Sequence, residues 1–148
     1  MKPAPGELET DPRFPSGKWA GFWTQKSLGP GKHSQEMLLT FRQGTLEGEG
    51  RDRVGKFHMR GFYSTEDGRC RWTKKYVGRH DVYYQGFNEG KGIWGTWEIS
   101  SPVIGQQLKG GFHIWPEGMS DPTRPALSAE AELPVEKEAE VGEPVAAG

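Results

Sequence analysis

The stretch "TLEGEGRDRVGKFHMRGFYSTEDGRCRWTKKYV" (residues 45–77) decides the fold. Polar and apolar side chains alternate through it with a period of two. The glycine-bearing segments "RVG" and "TEDG" cut it into separate runs. A period of two belongs to strands with one buried face. Connections this short force neighbouring strands to run antiparallel. In "EDG", Gly68 supplies the positive φ that the turn requires.

The same pattern continues in both directions. Eight runs can be read: 18–26, 34–42, 45–52, 56–64, 69–77, 80–88, 91–100 and 106–115. Eight antiparallel neighbours leave two exposed edges unless the sheet closes. Eight is also the number at which a barrel interior just fills with side chains or holds one small ligand. The sequence therefore predicts an all-β fold, an eight-stranded antiparallel up-and-down barrel over residues 17–116. A two-sheet β-sandwich is the alternative.

The flanks read differently. Residues 1–16 carry four prolines and no period, which predicts a flexible N-terminal arm. Residues 117–148 are rich in Ala, Glu and Pro and predict a disordered acidic tail. That tail holds eight acids and two bases, whereas residues 17–116 hold fifteen bases and nine acids. The net charge of −1 thus joins a basic barrel to an acidic tail.

Apolar residues are only 33% of the chain, so its six Trp, seven Phe and four Tyr must supply much of the burial. Cys70 is the single cysteine, which excludes an intrachain disulfide and a cysteine-based metal cluster. The N-terminus lacks the apolar segment of a signal peptide. No window approaches the roughly 18 apolar residues of a membrane helix. A cytoplasmic location with no membrane partner is the expectation.

Strand parity fixes the lining. Glu47, Glu49 and Arg51 must face water, which turns Leu46, Gly48, Gly50 and Asp52 inward. The same reasoning turns Phe57, Met59, Gly61 and Tyr63 inward, then Cys70, Trp72, Lys74 and Tyr76, then His80, Val82, Tyr84 and Gly86. Trp97 and Phe112 follow on the last two strands. Against this apolar lining the polar exceptions are Asp52, Lys74, Tyr76, His80 and Tyr84. In an up-and-down barrel, Asp52, Lys74, Tyr76 and His80 fall at one mouth. Trp19, Leu46, Tyr63, Cys70 and Ile114 gather at the other end and close it. An apolar cavity with a few convergent polar groups is the usual form of a small-ligand site.

"GKWAGFW" carries the G-x-W pattern twice, at Gly17–Trp19 and Gly21–Trp23, and "GIWGTWEI" sits in the seventh run. With the strand count, this resembles the calycin barrels, and the compact avidin-like members more than the lipocalins. The resemblance implies a closed bottom at the N-terminal tryptophan and a ligand at the other end. It does not extend to biotin, because the polar wall here is charged.

Three functions remain open from the sequence. One is a non-catalytic barrel for a small amphipathic ligand, an anion being one option. There Trp72 and Trp97 hold its body, while Asp52, Lys74, Tyr76, His80 and Tyr84 orient its polar end. The second is a small enzyme of isomerase, cyclase or lyase type, with His80 as base and Asp52 or Tyr76 assisting. The third is an interaction module acting through the outer surface, where Tyr83 and Trp94 face outward and leave room for a homo-oligomer. A bland reading stands beside all three, in which Asp52 and Lys74 are simply a buried ion pair. The basic residues Arg69, Arg71, Lys75 and Arg79 could track phosphates, but scattered cations on exposed strands are ordinary surface and weigh against nucleic acid. No phosphate-binding, nucleophile-elbow or zinc motif is present, and no cofactor is expected.

Overall fold

The computed structural model describes residues 7–101 and 106–123. Eight strands follow in chain order: β1 (Gly17–Trp23), β2 (His33–Arg42), β3 (Thr45–Asp52), β4 (Lys56–Tyr63), β5 (Arg69–Tyr76), β6 (Asp81–Asn88), β7 (Ile93–Ser101) and β8 (Gln106–Pro116). Each pairs antiparallel with the next, and β1 pairs with β8 through Trp19↔Pro116 to Trp23↔Phe112. The sheet is therefore a closed up-and-down barrel, and the sandwich alternative is excluded. Closure leaves no strand edge open, which is the reason eight such strands form one ring. A single 3₁₀ turn, Lys26–Leu28, interrupts the loop between β1 and β2. Among the described residues no helix is long and apolar enough to cross a membrane.

The period-two pattern becomes alternating burial. In β4, Phe57, Met59, Gly61 and Tyr63 are buried while Lys56, His58, Arg60 and Phe62 are exposed. The strongly coiled strands come so close that some inward positions have room only for hydrogen. A Cβ on Gly110 would strike the Thr24 carbonyl and the Trp97 indole.

The interior divides into layers. Near the middle, Trp72 stacks on Tyr84 at 5.3 Å with 12° between the rings, and Phe112 meets both edge-on. At the closed end Trp19, Leu46, Tyr63, Cys70 and Ile114 are buried, as expected, and Phe41 joins them. Phe14 completes this layer with no exposed surface, packed against Phe41 and Tyr63.

Phe14 belongs to the segment expected to be a flexible arm, and for residues 7–16 that expectation is corrected. The segment lies across the closed end and is held by specific bonds. The Glu9 amide donates to the Phe41 carbonyl, Phe41 N–H donates to Ser16 Oγ, and Trp19 Nε1 donates to the Pro15 carbonyl. Arg13 bonds Asp11 and the Thr65 carbonyl. One aromatic anchor with satisfied backbone partners outweighs the proline content that suggested flexibility. Residues 1–6 and the expected disordered tail from residue 124 lie outside the described residues.

Candidate functional site

The end of the barrel opposite Phe14 is built by the ends of β1, β3 and β5, the starts of β2 and β6, and the turns between them. Asp52 is the hub. It ends β3, where inward parity and the tight turn that follows place its carboxylate inside. Its backbone exchanges hydrogen bonds with Gly55, and Val54 N–H donates to Oδ1 at 2.9 Å. The other oxygen, Oδ2, accepts from Lys74 Nζ at 2.7 Å, from the Tyr76 hydroxyl and from Trp23 Nε1 at 3.1 Å.

Lys74 is the matching cation. Register places it opposite Met59 on β4 and Val82 on β6, deep in the wall. Its ammonium also donates to Gln35 Oε1 at 3.0 Å and to the Tyr84 hydroxyl at 3.3 Å. It sits 4.2 Å from the Phe57 ring centroid, so a π-face covers the remaining side. With three acceptors, Lys74 has used its three protons.

Burial and pairing pull the titrations in opposite directions. Desolvation pulls the Lys74 ammonium down to about 8, and the Asp52 carboxylate only partly offsets it. Burial would raise the Asp52 carboxyl, but attraction to Lys74 and hydrogen bonds from Lys74, Tyr76 and Val54 leave it below the ordinary carboxylate range. Burial, with the Asp52 charge adding to it, keeps the Tyr76 and Tyr84 phenols neutral well above their ordinary range.

The structure brings Asp52, Lys74, Tyr76 and Tyr84 into one network. Trp72 lies one layer deeper, against Tyr84. Trp97 stands edge-on to Trp23 at 6.0 Å and donates from Nε1 to the Thr24 carbonyl. His80 does not join them, which corrects the expectation. The β5–β6 hairpin has its last pair at Lys75↔Asp81, so His80 falls in the turn beyond the barrel wall and is exposed. Its parity was right, but the strand ends before it.

Three partners were missed. Gln35 continues the inward parity of Met37, Leu39 and Phe41 on β2, and that alternation was the signal. Trp23 is the second tryptophan of the G-x-W pair. His33 opens β2 opposite Trp23 and stacks on it at 4.3 Å. Arg53 Nη1 lies 3.1 Å from His33 Nδ1. Guanidinium can only donate, so Nδ1 accepts and a neutral ring carries its proton on Nε2. That Nε2 is buried without a hydrogen-bond partner among the described residues, and so is Trp72 Nε1. Among the described residues no three His, Cys, Asp or Glu side chains converge to hold a metal ion.

No protein-family model, curated protein or solved structure matches the chain.

Proposed function

We propose that the protein is a non-catalytic binding barrel that takes a small amphipathic ligand at its open end. The observation that carries this reading is a pair of buried N–H donors beside the Asp52–Lys74 network, His33 Nε2 and Trp72 Nε1, that have no partner among the described residues. Buried donors without acceptors are costly and uncommon in native folds. A ligand supplying a carboxylate, phosphate or carbonyl oxygen would satisfy them. Arg53 at the rim favours an anionic group, and the buried rings of Trp23, Trp72 and Trp97 line the interior that its apolar body would enter. The Asp52–Lys74 pair shapes and rigidifies the wall rather than gripping the ligand, because its bonds are already made within the chain.

The same geometry weighs against the enzyme reading. His80, the expected base, is in an exposed turn outside the barrel. Lys74 and Asp52 are locked by mutual bonds, and Cys70 lies at the closed end.

The test is titration of tryptophan fluorescence with dodecanoate and with dodecanol as a neutral control. Saturable binding of dodecanoate, weakened about tenfold or more by Arg53→Ala, is expected. If neither amphiphile binds, and native mass spectrometry of protein taken from cells shows only the bare chain, the reading fails.

A further inference from the structure

The outer wall from β4 to β7 carries an exposed aromatic patch: Phe62, Tyr83, Phe87 and Trp94 are 56%, 49%, 39% and 43% exposed. Such clusters on a soluble barrel mark interaction surfaces. Arginines lie among them, with Arg71 over Phe62 at 5.5 Å and Arg69 over Phe87 at 5.6 Å. A shallow groove of about 310 Å³ runs across the same face, bordered by Phe62, Arg71, Tyr83 and Thr96.

The register arranges the outward side chains in rows across the strands. One row reads Arg60–Thr73–Tyr83–Glu98. The next toward the mouth contains Lys75 opposite Asp81, and those toward the closed end contain Arg71 opposite Gln85 and Arg69 opposite Phe87. Each row has its positive member on β4 or β5 and an acid, amide or ring on β6 or β7.

From this polarity we infer that the β4–β7 wall docks a second copy of the same chain, about a two-fold axis running parallel to the strands between β5 and β6. Such an axis sets β5 against the partner's β6 and β4 against the partner's β7, row on row. Arg60 then meets the second copy's Glu98, Lys75 meets its Asp81, Arg71 meets its Gln85 and Arg69 meets its Phe87 ring. Every contact occurs twice, as an isologous interface requires. The four aromatics become eight around the axis. An axis across the strands does the opposite, because it sets Arg71 on its own copy or Arg69 against Lys75. Among the described residues Arg60 has only a long contact to Glu47, 3.7 Å with both side chains largely exposed, so it is available to the partner. Barrel curvature confines the contact to β4–β7.

The test is sedimentation velocity on the full chain over a concentration series, with Arg60→Glu, Glu98→Arg and the double variant. Both positions are exposed, and circular dichroism checks that each variant keeps its fold. The wild type is expected to dimerise. Each single reversal places two like-charged pairs at the interface and is expected to raise the dissociation constant by about 100-fold or more. The double variant re-forms both pairs and restores the dimer, and Tyr83→Ala weakens it. A chain that stays monomeric overturns the inference, including one whose wall takes up single-stranded DNA instead. So does a dimer indifferent to the single reversals, or a double variant that fails to recover.

Discussion

Asp52 Oδ2 lies 2.7 Å from Lys74 Nζ, with the two side chains 0% and 1% exposed. An ion pair this dry is held together by its loss-of-partner cost as much as by its attraction, since either charge left alone would be buried without compensation.

Lys74→Met is therefore expected to destabilise the barrel by about 3–5 kcal/mol, because it strands the Asp52 carboxylate. Adding Asp52→Asn removes the stranded charge and should recover a large part of that loss. Urea denaturation of the two single variants and the double closes the cycle. Additive losses would show that the two residues are not energetically coupled.

The pair also sets a pH signature. The Lys74 ammonium falls from its ordinary 10.5 to about 8 in the folded chain. Between those values the unfolded chain binds more protons, so this group makes stability rise with pH across that window. Asp52 acts on the acid side. Its folded value lies below the ordinary 3.8, so its contribution is present above 3.8 and is lost as the pH falls through the folded value. Subtracting the stability profile of the Lys74→Met, Asp52→Asn double variant from that of the wild type isolates both slopes. A flat difference would overturn the assignment.

At the other end, Phe14→Ala should cost about 3–5 kcal/mol, the usual loss for a fully buried phenylalanine. The change sits far from the mouth, so ligand affinity is expected to hold while the thermal midpoint drops. A midpoint unchanged within error would mean that residues 7–16 do not plug the barrel.

Gly110→Ala places a methyl group against the Thr24 carbonyl, the acceptor of the Trp97 indole bond. A loss of about 1–3 kcal/mol follows from overpacking, with a red-shifted tryptophan emission as Trp97 meets water. An alanine variant as stable as the wild type would contradict the close approach of these strands.

Burial pushes the Cys70 thiol up to about 12. Alkylation by iodoacetamide should be negligible in the native chain and should follow the unfolded fraction in urea. Fast labelling without denaturant would show that the closed end opens.

Alternation in β3 to β8 was enough to name the inward face of each strand, because a strand's side chains have only two directions to choose between. Strand count and short turns made closure the economical solution. Asp52, Lys74, Tyr76 and Tyr84 followed from parity alone, as polar residues on an apolar face. Parity carries no information about where a strand stops, however, and His80 fell outside the wall because the hairpin register ended one residue earlier. Parity also could not show that Gln35 would meet Lys74 across the ring, that Trp23 would reach Asp52, or that His33 would stack on Trp23. Proline content suggested a loose N-terminal arm, while packing of Phe14 against Phe41 and Tyr63 fixed it. The sequence by itself determined the strands, their faces and their order, which depend on local alternation and turn chemistry. Only the tertiary structure decided which side chains converge at the mouth, which donors stay unpartnered and how charge is laid out across the outer wall. Those depend on register around a closed ring, and register is set by all eight strands together.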